Sequence, residues 1–252
     1  MIEFDHVRAG YAGREVLHEV AFTVPKGSVT ALIGPNGCGK TTLLRAAAGQ
    51  LPLQSGKVLL NGRETAHLDR KELARTAACL PQARSTPAIT VEALVSHGRF
   101  PYLGLSRRMR PEDREIVRRA MRQTGIEPWA GRELRTLSGG ERQRVYIAMA
   151  LAQDTGIILL DEPTTYLDLG RQFELLELIR SLNAGGKTIL MVLHDLALAL
   201  RYSDHVALMK QGRLAAFAGP EELLDSGRLD EVFGVQSHRT PYGCCFTPRP
   251  KG

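Results

Sequence analysis

The sequence predicts an α/β fold, a mostly parallel sheet covered by helices and interrupted by an inserted helical block. Three observations carry this. Short apolar runs that read as buried strands alternate with helix-forming stretches toward both ends of the chain, the pattern of a parallel sheet. Between about Ala83 and Asp154 helical patterning takes over. The stretch "IGPNGCGKTTLL", Ile33–Leu44, sets a glycine-rich turn between one such strand and the helix that follows it. The chain has 252 residues, enough for one large domain or two small ones and for a sizeable core without staples.

The elements follow in order. "SVTALIG" (Ser28–Gly34) is an apolar run ending in glycine and reads as a buried strand. "KTTLLRAAAG" holds helix formers and stops at Gly49, a suitable C-terminal glycine. "GKVLLNGRE" (Gly56–Glu64) reads as strand then turn, with Asn61-Gly62 as the turn dipeptide. "RTAACLPQ" (Arg75–Gln82) reads as a strand ended by proline. Within the helical block one helix is well marked, with Pro111 at its first position, Glu112 and Asp113 in its first turn and Gly125 to stop it. "TGIILLDEP" (Thr155–Pro163) is an apolar strand closed by two acids, and "RQFELLELIRSL" (Arg171–Leu182) an amphipathic helix. "KTILMVLHD" (Lys187–Asp195) is another buried strand, and "HVALMKQGRLAAFAG" (His205–Gly219) a hairpin turning at Gln211-Gly212. The expected organisation is a single domain over 1–252. Its core is 1–82 with 155–220, its helical subdomain 83–154 and its C-terminal extension 221–252.

Composition bounds the setting. The chain is 43% hydrophobic and 24% charged, ordinary for a soluble globular protein. No apolar run approaches the roughly 20 residues that span a bilayer, and "MIEFDHVRAG" lacks the apolar stretch of a secretory signal. Cys38, Cys79, Cys244 and Cys245 match no zinc spacing. They read as reduced thiols in a cytoplasmic protein. The net charge of +6 suits either an anionic partner or simply a soluble surface.

Three motifs carry chemistry. Gly34-Pro35-Asn36-Gly37-Cys38-Gly39-Lys40-Thr41 fits G-x-x-x-x-G-K-[ST]. Glycines let successive backbone N–H groups converge on a phosphate, and the following helix N-terminus adds partial positive charge. Lys40 then reaches the outer phosphates and the Thr41 hydroxyl a Mg²⁺ ion. Asp161, at the end of an apolar strand, suits the same Mg²⁺, and Glu162 is placed to orient or deprotonate an attacking water. Alternatively the two acids end a strand and cap a helix. Ser138-Gly139-Gly140 opens a helix and forms a second anion-binding turn. It equally reads as an N-cap in which Ser138 and Glu141 form a capping box.

"GPNGCGKTT", "LPQ", "LSGGERQRV", "LLDEPTTYLD" and "VLHD" stand in the order and spacing of the ATP-binding cassette (ABC) ATPases, and the resemblance runs from Met1 to about Leu224. It implies a P-loop NTPase (RecA-like) core with an N-terminal antiparallel β portion and an inserted helical subdomain. It implies ATP as nucleotide, held by Gly34, Pro35, Asn36, Gly37, Cys38, Gly39, Lys40, Thr41 and Thr42, with Tyr11 stacked on adenine. It makes Gln82 the Q-loop glutamine that touches Mg²⁺, Asp168 the D-loop aspartate at a dimer interface and His194 the switch histidine on the γ-phosphate. Catalysis then rests on Glu162, His194, Lys40 and Gln82, and Mg²⁺ on Thr41, Gln82 and Asp161. In this family two cassettes pair head to tail, so Ser138, Gly139 and Gly140 of one copy would close on ATP held by the other.

"HGRFPYLG" (His97–Gly104) and "DEPTTYLDLGRQFELLELIRSL" resemble the subgroup that drives ferric siderophore, haem and cobalamin import, with "TTYLD" leaning toward siderophores. This implies a homodimer of ATPase subunits on integral membrane permease subunits, peripheral on the inner face of the cell membrane and served indirectly by a solute-binding protein. The rival is a soluble cassette acting on nucleic acid or ribosomes. Arg107, Arg108, Arg110, Arg114, Arg118, Arg119 and Arg122 favour it, while Glu112, Asp113 and Glu115 dilute that run. Soluble relatives of that kind usually carry two cassettes or a long coiled insertion, so no nucleic-acid partner is expected. In the tail, His238 with Cys244 and Cys245 either binds metal or belongs to a plain strand.

Overall fold

The computed structural model describes residues 1–80, 86–104, 108–241 and 243–249. They form two compact units, Met1–His67 with Thr188–Gly252, and Leu68–Lys187. The first unit begins with β1 (Ile2–Tyr11), β2 (Arg14–Val24), β3 (Val29–Ile33), α1 (Lys40–Ala47), β4 (Leu53–Leu60) and β5 (Arg63–Glu64). The second holds α2 (Arg70–Thr76), β6 (Ala77–Leu80), α3 (Val91–Ser96), α4 (Pro111–Gln123), α5 (Gly139–Ala152), β7 (Ile157–Leu160) and α6 (Leu169–Ala184). The chain then returns to the first unit through β8 (Thr188–Val192), α7 (Leu196–Tyr202), β9 (His205–Lys210), β10 (Arg213–Ala218), α8 (Pro220–Asp225), α9 (Arg228–Phe233), β11 (Val235–Thr240) and β12 (Gly243–Pro248).

In the first unit β3 is buried along its whole length. It lies between β8 and β9 and runs parallel to both, with Ala31 opposite Met191 on one side and Val206 on the other. A strand flanked on both edges and covered on both faces has no use for alternation, which is why "VTALI" is continuously apolar. β10 returns antiparallel along β9 through Gln211 and Gly212, both at positive φ (48° and 75°), the two-residue turn whose twist matches a hairpin. β1 pairs antiparallel with β2 and β4, and β4 with β5. That is the N-terminal antiparallel portion, closed at Asn61-Gly62 with φ of 52° and 80°.

In the second unit β6 and β7 pair in parallel, Ala77 opposite Ile157, and α3 and α4 pack on α5. The expected helical stretch 83–154 lies inside this unit, which also takes in α2, β6, β7 and α6. Arg99 is buried and donates from Nε to Asp113 Oδ1 at 2.9 Å and from Nη1 to the Ala152 carbonyl at 3.0 Å, tying the turn before α4 to α4 and α5. β6 starts at Ala77 rather than Arg75, because Asp69 and Glu72 form a capping box that carries helix through Thr76.

The arginine run of α4 is largely answered by the unit's own acids. Arg118 and Arg122 both bond Glu115, and Arg119 bonds Asp154. The C-terminal segment is the β11–β12 hairpin, where His238 sits opposite Cys245 but turns its Nε2 to Thr247 Oγ1 at 2.8 Å. Among the described residues no group of three histidines, cysteines or acids could hold a metal, and all four cysteines are free thiols. Among those residues no helix is long and apolar enough to cross a membrane.

Candidate nucleotide site

The turn between β3 and α1 is shaped by its glycines and closed by its lysine. Gly39 is the N-cap of α1 at φ 105°, a conformation that costs other residues about 1–2 kcal/mol. At Gly34 a Cβ would lie 2.3 Å from the Met209 carbonyl oxygen and 2.7 Å from Cys38 Sγ, so only glycine fits against β9. Lys40 is 6% exposed, and its ammonium donates to the Gly34 carbonyl at 2.7 Å and the Pro35 carbonyl at 3.1 Å. An ammonium has three donors, and here it draws the carbonyls of the loop toward itself. The first turn of α1 has neither a side-chain cap nor an acidic residue, so nothing acidic there offsets the partial positive charge of the helix N-terminus. Thr42 is buried and Thr41 partly so in that same turn.

Three neighbours frame the loop. The Gly212 amide donates to the Cys38 carbonyl at 3.0 Å, and the His18 amide donates to the Gly212 carbonyl at 2.8 Å, so β2 and the β9–β10 turn buttress it. Burial pushes the Cys38 thiol up from its ordinary value, against the opposing pull of Lys40. Tyr11, at the end of β1, is exposed, and its hydroxyl accepts a hydrogen bond from Arg45 of α1 at 3.2 Å. Across the β3–β8 pair Leu32 faces Val192. Gly34 and His194, each two residues further on, therefore leave the sheet at the same edge, and His194 is exposed there. That carboxyl edge of parallel strands is where ligands bind in such sheets. Asp195 beyond it caps α7 through the Leu198 amide at 2.9 Å.

The second unit carries the other predicted groups. Asp161 follows β7, is 3% exposed, and its amide donates to the Leu80 carbonyl at 2.9 Å. Glu162 sits at φ 50°, left-handed for a residue with a side chain, and its carboxylate accepts from Thr165 Oγ1 at 3.2 Å. Such a backbone persists only where its surroundings hold it. One holder is Gln143 of α5, a buried side chain whose Nε2 donates to the Pro163 carbonyl at 2.6 Å.

At the start of α5 the capping box is complete. Ser138 Oγ accepts from the Glu141 amide at 3.3 Å and the Glu141 carboxylate accepts from the Ser138 amide at 2.7 Å. The Ser138 amide holds the Glu141 carboxyl below its ordinary value. Asp168 caps α6 through the Arg171 amide at 3.0 Å. Tyr166, at 95% exposure, and Leu169, at 63%, flank it. Gln82 lies outside the described residues. Gln143, Arg171 and Gly212 are site neighbours that sequence reasoning missed. For Arg171 the one available signal is its place three residues after Asp168.

Known proteins resemble this chain over most of its length. A family model described as ABC transporter matches residues 17–165. The probable siderophore transport system ATP-binding protein YusV of Bacillus subtilis is 46% identical over 98% of this chain and 90% of its own length. The achromobactin transport ATP-binding protein CbrD of Dickeya dadantii is 46% identical over 95% of this chain and 90% of its own. Among solved structures, the dimeric post-hydrolysis state of the ATP-binding cassette MJ0796 bound to ADP and Pi superposes with a TM-score of 0.75. It is 27% identical and covers 87% of this chain and 99% of that one.

Proposed function

The chain belongs to the ABC transporter family as one of its ATP-binding, ATP-hydrolysing subunits, and from that premise we propose that it powers a membrane importer for ferric siderophores, pairing head to tail on a permease. The observation that carries the nucleotide assignment is the phosphate loop, with glycines where a side chain would not fit and Lys40 buried on the loop's own carbonyls. Lys40 exchanges those carbonyls for phosphate oxygens of ATP, and the loop amides and first turn of α1 hold the rest. Tyr11 packs against the adenine. Thr41 and Asp161 fit Mg²⁺, since a hydroxyl and a buried carboxylate are hard oxygen donors. Mg²⁺ sites usually keep one or two protein ligands and complete their shell with substrate phosphates and water. When bound, that ion would neutralise charge on the outer phosphates. Gln82, outside the described residues, is assigned to the same ion on the resemblance of its motif alone.

Glu162 acts as general base on the attacking water, held on its left-handed backbone by the loop that Gln143 braces. His194 donates to the γ-phosphate from the sheet edge it shares with Gly34. Ser138, Gly139 and Gly140 close on ATP bound to a second copy. The exposed Tyr166, Asp168 and Leu169 support that pairing, since large apolar groups in the open beside an acid suit an interface. ATP then joins the copies because its charge is fully answered only when both surfaces meet, and cleavage releases them. The names of the YusV and CbrD relatives, siderophore and achromobactin transport, support the substrate class.

Glu162→Gln tests the core of this reading. The variant should bind ATP with parental affinity, stop releasing phosphate and accumulate ATP-bound dimers in sedimentation. Parental turnover in that variant would remove Glu162 as the base.

A further inference from the structure

Arg171 lies at the mouth of the turn that opens α5. Its Nη1 donates to Ser138 Oγ at 3.3 Å, and its Nε bonds Asp168 Oδ2 at 3.2 Å. The side chain crosses the space above Gly140, where a Cβ would meet Arg171 Nη1 at 2.6 Å and Cδ at 2.7 Å. The absence of a side chain at Gly140 is what lets the guanidinium lie there. A serine hydroxyl has two acceptor lone pairs and one proton to donate. Here both acceptor positions are taken, one by the Glu141 amide and one by Arg171. What the hydroxyl has left to offer is its one proton.

We propose that Arg171 is a positioning residue of the half-site that Ser138 presents to a second copy. Tethered to Asp168, it fills an acceptor site of the Ser138 hydroxyl and so turns that hydroxyl into a donor toward the γ-phosphate of the partner's ATP. This deepens the head-to-tail reading and rests on it. It also joins two exposed elements, the Asp168 loop and the Ser138 turn, through one guanidinium, so that the one cannot shift without the other. Arginine suits the task because its planar fork engages two partners in fixed directions, where lysine would offer a point charge.

The test uses dimers of the Glu162→Gln variant with ATP and Mg²⁺, followed by sedimentation. Adding Arg171→Met should raise the dimer dissociation constant about tenfold, adding Arg171→Lys by less, and both should leave the affinity of the monomer for a fluorescent ATP analogue unchanged. Ser138→Ala should weaken the dimer to a similar degree, and combining it with Arg171→Met should add nothing further, because both act through one hydroxyl. Full additivity of the two, an Arg171→Met dimer as tight as its parent, or loss of monomer nucleotide binding would overturn the role of Arg171 and leave the head-to-tail reading intact. Failure of the Glu162→Gln parent itself to pair would remove the head-to-tail reading and this inference with it.

Discussion

Replacing Gln143 by leucine should damage both stability and turnover, and a lower bound on the size follows from its bond to Pro163. Gln143 is 8% exposed, and its Nε2 donates to the carbonyl of Pro163, itself buried, at 2.6 Å. Leucine has nearly the same helix propensity and a similar volume, so α5 is kept while the Pro163 carbonyl loses a partner. An orphaned buried acceptor costs about 1–3 kcal/mol. At roughly 2–4 °C per kcal/mol for a chain of this size, the midpoint should fall by about 2–12 °C. Glu162, one residue before Pro163, has the more specific response. Its backbone at φ 50° is unfavourable by about 1–2 kcal/mol, and freeing the loop lets it relax, carrying the carboxylate off the position a base must hold. Each 1.4 kcal/mol of lost transition-state stabilisation is about tenfold in rate. The expected outcome is kcat down about tenfold with KM for ATP little changed, since the phosphate loop is untouched. Thermal unfolding and steady-state phosphate release measure the two effects. A variant with parental melting midpoint and parental kcat would refute the bracing role.

Two further outcomes are expected. Cys38, buried and with its thiol pushed up by that burial, should react with iodoacetamide more slowly at pH 7 than the exposed Cys245, because the thiolate is the nucleophile. ATP should protect it and modification should abolish nucleotide binding; peptide mapping that finds equal labelling with and without ATP would contradict its place in the loop. Glu141 titrates below its ordinary value because of the Ser138 amide. Its contribution to stability is therefore fully present above the unfolded carboxylate value near 4.3 and is lost as pH falls through the lowered folded value. Glu141→Ala should accordingly lower the urea midpoint at pH 7 and leave it unchanged at pH 2, and an equal loss at both would show that the carboxylate charge plays no part.

What could be read from the sequence, and what could not, divides along a physical line. The phosphate loop was legible because its chemistry is local: Gly34, Gly39 and Lys40 act through backbone conformation and reach within a few residues of one another. The turns at Asn61-Gly62 and Gln211-Gly212, and the α4 helix from Pro111 to the stop at Gly125, are legible for the same reason. The start of β6, expected at Arg75 and found at Ala77, is also decided locally, by the Asp69–Glu72 capping box that carries helix through Thr76. Gln143, Gly212 and Arg171 differ in kind. Gln143 and Gly212 bond backbone carbonyls, of Pro163 and Cys38, from 20 residues away or more, and a carbonyl leaves no mark in the residue alphabet. Arg171 reaches the side chain of Ser138 across 33 positions, by a pairing that only the fold creates. These three brace the groups that the motifs supply. A motif can be complete in every residue type and still be slow if its braces are absent, which is why substitutions at Gln143 and Arg171 are expected to separate nucleotide binding, held by the local loop, from turnover and pairing, held by the long-range contacts.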